Sequence, residues 1–269
     1  MNTVKIGLMG AAGRMGQSIK GLIDSRSDKF QLAASLNSKH DADELLKFCQ
    51  ASDVIVDFSS ANILGALTKA AANCNTNMVV GTTGLEDKHF AYLQEAATQV
   101  AVLYAANTSI GANLVAMLAA QSAKILKEYD VEIIEAHHRH KKDAPSGTAL
   151  MIGQKIAEAR KLDFQANAVF DRANKAAIRT QGEIGFSSIR AGGIYGEHEV
   201  MFAGDNELVT IGCRALSRLA FAEGALIAAQ WISDKPPGLY SMQDVLQESS
   251  PKISKLGQNK TQDKTNILK

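Results

Sequence analysis

Cysteine is scarce in this chain of 269 residues: Cys49, Cys74 and Cys213 are odd in number, far apart and never paired as CxxC. That excludes a disulfide framework and a cysteine-based zinc site, and points to buried thiols in a reducing compartment. Long apolar runs are missing as well. No window holds about 18 apolar residues without a charge, so no membrane span is expected. An excess of one charge sign is also absent. The net charge of +1 gives no field to draw nucleic acid or a membrane surface, and neither is expected as a partner. The start, Met1-Asn2-Thr3-Val4-Lys5, runs into a strand-like stretch without the basic and apolar segments of a secretory signal. A cytoplasmic location is therefore expected. What is present is a hydrophobic content of 46%, enough for one large domain or two modest ones.

Short apolar runs at residues 4–9, 31–36, 53–58, 78–81 and 100–104 read as buried strands, separated by helical patterns such as Ile19, Leu22 and Ile23 on one face. Such alternation predicts right-handed crossovers and a parallel sheet. The pattern changes near residue 109. A helix over 110–128, a strand over 129–136 and a helix over 148–161 are followed by strands at 184–190, 195–203 and 207–214 with glycine-bearing turns, which predict an antiparallel or mixed sheet. The apolar helix over 216–232 is expected to return to the first unit. The fold class is thus α/β, with a second α+β unit. Residues 1–109 plus 217–247 form the first unit and 110–216 the second, and 248–269 are a polar, lysine-rich and flexible tail.

Gly10-Ala11-Ala12-Gly13-Arg14-Met15-Gly16 stands between the first strand and the first helix. Small residues there let a pyrophosphate reach the N–H groups of a helix start. Packing alone also favours glycine in such turns, so the context carries the nucleotide reading. Arg14 either touches phosphate or faces solvent. At the end of the second strand, where a carboxylate would grip a ribose hydroxyl, stand Asn37-Ser38-Lys39. Asn37 does not repel a 2′-phosphate and Lys39 attracts one, so NADPH is expected over NADH.

Three of the six histidines fall within Glu135-Ala136-His137-His138-Arg139-His140-Lys141-Lys142. The segment Asp143-Ala144-Pro145-Ser146-Gly147-Thr148-Ala149 follows, with Ser146 as a helix cap and Thr148 near the helix start. The free N–H groups of that helix, beside these cations, suit a carboxylate. A zinc site is disfavoured because adjacent strand histidines face opposite ways and no acidic or cysteine ligand is suitably spaced, so no metal is expected. A solvated basic turn is the plain alternative. A catalytic loop explains the coincidence better, since histidine and lysine move protons near neutral pH. Neither GxSxG nor a Tyr-xxx-Lys pair is present.

The glycine turn, Gly81-Thr82-Thr83-Gly84, Ala105-Ala106-Asn107, the histidine segment with Ala144–Ala149, and Arg190-Ala191-Gly192-Gly193-Ile194-Tyr195-Gly196-Glu197-His198 together resemble the 4-hydroxy-tetrahydrodipicolinate reductase family, over residues 4–246. The resemblance implies a Rossmann domain completed by the C-terminal helix, and a middle domain whose sheet builds a homotetramer. It implies NADPH or NADH as cofactor and a small dicarboxylate as substrate. Gly10, Ala11, Ala12, Gly13, Arg14 and Met15 would hold the pyrophosphate. Gly81, Thr82 and Thr83 would line the nicotinamide, with Ala105, Ala106, Asn107 and Thr108 a further cofactor segment. His137 matches a proton donor/acceptor and Lys141 a proton donor, while His138, Gly147 and Thr148 match substrate-carboxylate ligands. This chain departs from the pattern in its short segment before Asp53, in Asn37 for an acid, Ser60 for a basic residue and Thr108 for an aromatic, and in its lysine-rich tail. Another Rossmann reductase, such as an aspartate or homoserine dehydrogenase, would explain the glycine turn but not the histidine segment. A nucleotide-sensing protein would need no proton-donating loop.

Overall fold

The computed structural model describes residues 3–37, 40–173 and 177–249. Strands β1 (Val4–Met9), β2 (Phe30–Leu36), β3 (Val54–Asp57), β4 (Asn77–Val80), β5 (Ala101–Tyr104) and β11 (Gly238–Tyr240) form one sheet, ordered β11-β5-β4-β3-β1-β2. Every pairing in it is parallel. Both faces are therefore covered, and the strands are near-continuous apolar runs. Successive residues serve opposite faces. Val54, Val56 and Val79 pack with α1 (Arg14–Ser25) and α8 (Leu219–Ile232). Ile55, Met78 and Val80 pack with α2 (Ala42–Gln50), α3 (Leu64–Asn73) and α4 (Asp87–Ala96). Ala222, Ala225, Ala228 and Ala229 give α8 a smooth buried face on the sheet. The strand order reverses between β1 and β3, and the crevice beyond the carboxyl ends of these strands is the usual ligand position of such folds.

The second sheet runs β10-β9-β6-β8-β7, built from β6 (Asp130–His137), β7 (Ala168–Val169), β8 (Ile184–Arg190), β9 (Glu197–Ala203) and β10 (Leu208–Arg214). It is mixed, because β6 pairs antiparallel with β9 and parallel with β8. Helices α5 (Ile110–Ile125) and α6 (Gly147–Arg160) cover one face through Val115, Ala119, Ile152 and Ile156, opposite Val131, Ile133, Val200 and Phe202. A short helix α7 (Phe164–Asn167) leads into β7.

Element ends moved where the apolar pattern had overrun. The last long helix starts at Leu219, not 216, and Leu216 is 81% exposed. The strand expected from 195 starts at Glu197. Four elements had no sequence forecast: the short helix α7 and the two-residue strand β7, the three-residue strand β11, too short to show a period, and the helix α9 (Met242–Ser249). Glu248, expected to open the tail, lies in α9, where it accepts hydrogen bonds from Trp231 Nε1 and Lys235 Nζ, both at 2.9 Å. Residues 250–269 lie outside the described residues. Among the described residues no helix is long and apolar enough to cross a membrane.

Candidate active site

The glycine turn closes onto the end of β1. Gly10 has φ +84, a region that L side chains rarely adopt, and a Cβ on Gly16 would collide with the carbonyl of Gly10. These two glycines bring the start of α1 against the sheet. Gly10 and Ala11 donate to Leu36 O at 2.8 and 3.3 Å, while Ala12 N donates to Asn37 Oδ1 at 2.9 Å. Asn37 thus braces the turn from the end of β2. Ala12, Gly13 and Arg14 are exposed along the turn, and Met15 is half-buried. Lys39 lies outside the described residues. The first turn of α1 carries no acidic residue, so its N–H groups present an uncompensated positive end. A dinucleotide pyrophosphate fits such a start.

Asp57, at the carboxyl end of β3, was not singled out in the sequence, yet it organises the neighbouring loop. It is fully buried and accepts from Ser59 Oγ, from Ser59 N at 3.0 Å and from Thr82 Oγ1 at 2.8 Å. Burial pushes its carboxyl up from the usual range, while the Ser59 and Thr82 hydrogen bonds pull it back. Thr82 is thereby fixed with its hydroxyl turned inward, leaving Thr83 exposed next to it and Gly81 buried against Phe58. Thr108, placed by resemblance among the cofactor contacts, has its hydroxyl directed elsewhere. It is buried and donates to Phe221 O of α8 at 2.7 Å. Ala105 is buried and Ala106 exposed.

The histidine segment begins on β6 and leaves it at His137. His137 Nδ1 lies 2.5 Å from Glu135 Oε2. Arg190 of β8 grips the same carboxylate, with Nη1 to Oε2 at 2.8 Å and Nη2 to Oε1 at 2.6 Å. Burial works to raise Glu135, but hydrogen bonds from Arg190, Ser188 and His137 hold it down at about 2. Burial lowers the His137 pKa, and Glu135 opposes that by favouring the imidazolium. Lys141 Nζ pairs with Asp143 Oδ2 at 2.9 Å. His138 keeps Nδ1 buried and without a hydrogen bond, a polar atom still to be satisfied.

The helix that follows is capped as its sequence demanded, starting one residue earlier than expected. Ser146 Oγ accepts from Ala149 N at 3.2 Å, leaving the N–H groups of Gly147 and Thr148 at the open end of α6. The same hydroxyl lies 3.0 Å from Nε2 of His198, a buried residue on β9. Burial pushes the His198 pKa down to about 4, with a further push from His137, so the ring is neutral where it meets the serine hydroxyl. Asn107 bridges the two units, since its Nδ2 donates to Thr148 Oγ1 at 2.9 Å. Asn107, His137, Gly196, His198 and Phe221 line a shared cavity of about 230 Å³. Among the described residues no cluster of His, Cys, Asp and Glu has metal-binding geometry.

The structure thus brings Asn107, His137, His198 and the α6 start together, and sets the glycine turn and Thr82 at the carboxyl edge of the other sheet. The roles of Glu135, Arg190, His198 and Asp57 escaped the sequence reading. For the first three the available signal was their membership of the quoted motifs; Asp57 had only the carboxylate ending an apolar strand.

This arrangement defines an oxidoreductase with a Rossmann-type nucleotide half and a proton-transferring half. Comparison with known proteins narrows the class. The family models described as dihydrodipicolinate reductase, N-terminus and C-terminus, match residues 4–108 and 111–246. The chain belongs to the dihydrodipicolinate reductase family. It is 48% identical over 242 residues to the 4-hydroxy-tetrahydrodipicolinate reductase of Rickettsia rickettsii (strain Sheila Smith), covering 90% of this chain and 98% of that one. It is 43% identical over 251 residues to the enzyme of that name from Zymomonas mobilis, covering 91% and 98%. In structure it is similar to a dipicolinate-bound dihydrodipicolinate reductase from Paenisporosarcina, with TM-score 0.72 and 24% identity, covering 89% and 98%.

Proposed function

We propose that this chain reduces 4-hydroxy-tetrahydrodipicolinate to tetrahydrodipicolinate with loss of water, using NAD(P)H, in the diaminopimelate route to lysine. Bound at the glycine turn, the dinucleotide supplies hydride. The chain's own residues do the rest. Loss of water leaves a conjugated imine, and hydride addition to it leaves an electron-rich carbon and nitrogen that must gain a proton. His137 and Lys141 carry that proton, help worth roughly 10²- to 10⁴-fold. The N–H groups of Gly147 and Thr148, with His138, hold the two carboxylates. Lys141 reaches them by exchanging Asp143 for a substrate carboxylate. The observation that carries this reading is the Asn107–Thr148 hydrogen bond of 2.9 Å, which ties the cofactor segment to the carboxylate cradle.

NADPH is the preferred donor on this reading, because Asn37 is spent on Ala12 N and offers no carboxylate to the ribose. Catalysis proceeds in the cytoplasm and in a homotetramer. The assembly is supported by the second sheet's uncovered face, where Ile189 is 48% and Leu208 54% exposed. The test is NADPH oxidation with enzymatically generated hydroxy-tetrahydrodipicolinate. Turnover only with aspartate semialdehyde or another carbonyl, or binding without turnover, would overturn the reading.

A further inference from the structure

We infer that Glu135, clamped by Arg190, is the positioning residue that commits His137 to proton transfer through Nε2; this rests on His137 being the acid–base group of the reaction. The placement follows from strand geometry. Glu135 and His137 are two apart on β6 and share a face. Arg190 is the register partner of His137 on β8, and His198 that of Glu135 on β9. Three strands therefore deliver one carboxylate, one guanidinium and two imidazoles to a single patch.

The chemistry then leaves little freedom. An ionised carboxylate only accepts hydrogen bonds, so the 2.5 Å contact requires the proton on Nδ1 of His137. The forked contact from Arg190 keeps that carboxylate ionised and fixes its plane. Nδ1 is occupied whether the ring is neutral or charged, and Nε2 is the only nitrogen left to gain and lose a proton. Nε2 lies against Gly196, where a Cβ would crowd it at 3.2 Å, so the lack of a side chain there leaves that nitrogen clear beside the cavity. The other carboxylate oxygen, Oε1, accepts from Ser146 N at 3.2 Å. One buried anion therefore anchors both the proton relay and the cap of the helix that cradles the substrate.

The charged and titratable groups around His137 are Glu135 on its own strand, Arg190 on β8, His198 on β9 and Lys141 on the following loop. Cys213 and Arg214 of β10 line the same cavity. Of these, only Glu135 favours the imidazolium by a direct hydrogen bond.

The test uses the full chain. Side-chain 15N NMR at pH 8 should show His137 protonated at Nδ1 and bare at Nε2. Glu135→Gln should lower kcat by roughly 10²-fold, move the alkaline limb of kcat/KM to lower pH and leave the NADPH Kd within about twofold. Arg190→Lys should give an intermediate loss with the limb displaced in the same direction. A wild-type His137 carrying its proton on Nε2 would overturn the inference, and that measurement stands even if Glu135→Gln fails to fold. An unchanged rate and pH profile in folded Glu135→Gln, with His137→Ala inactive, would overturn the positioning role alone. Full activity in His137→Ala would remove the reading beneath it.

Discussion

Acidification should weaken this protein well above the range where carboxylates titrate, and His198 is the reason. In the unfolded chain its imidazole binds a proton near 6.5, whereas in the folded state burial postpones binding to about 4. Between these values the unfolded state holds more protons, so folding stability is lost as pH falls through that window. Linkage gives about 1.4 kcal/mol lost at pH 5.5 and about 3 kcal/mol at pH 4. For a chain of this size the loss at pH 5.5 lowers Tm by roughly 3 to 6 °C. His137, also lowered by burial, acts in the same sense, and Asp57, raised by burial, acts in the opposite one from its raised value down to the ordinary carboxylate value. The comparison that isolates His198 is therefore His198→Gln, whose amide can still meet Ser146 while it does not titrate. Thermal unfolding of both proteins at pH 7.5 and 5.5, at one protein concentration, should show the wild type falling further. Equal falls would refute the argument, because they would mean that the buried ring does not pay for its proton.

Lys141→Ala should lower kcat far more than it changes the NADPH Kd, checked by steady-state rates and fluorescence titration. Gly16→Ala should weaken dinucleotide binding by tenfold or more, roughly in line with the 1–3 kcal/mol of an overpacked site, because the new methyl meets the Gly10 carbonyl. Thr82→Val should leave buried Asp57 short of a donor and destabilise the fold by about 1–3 kcal/mol, read by urea unfolding. On cofactor choice, kcat/KM for NADPH should exceed that for NADH; equal values would show that Lys39 and Asn37 play no part in selection.

Much of the fold was legible because its signals are local. The apolar runs of β3 to β5 have no solvent face to interrupt them, and Ser146 announces the start of α6 wherever it stands. Ends were harder to read: Leu216 continues the apolar pattern of α8 yet lies before the helix, 81% exposed. β11 was illegible for a different reason, since Gly238–Tyr240 is strand only because β5 offers it an edge. The site divides similarly. His137, His138, Lys141 and the α6 start lie within a dozen residues, so their chemistry shows in one dimension. Asp57 and Thr82 lie 25 residues apart, and nothing local joins them.

By itself the sequence determined the alternation of strand and helix, the tight turn at Gly10 and the proton-carrying segment, because periodicity, capping and backbone freedom act over a few residues. Only the tertiary structure decided that Arg190 meets Glu135 across 55 residues, that His198 stays neutral beneath Ser146, and that Asn107 reaches Thr148. Strand register and burial set these pairings, and both exist only once the second sheet has formed.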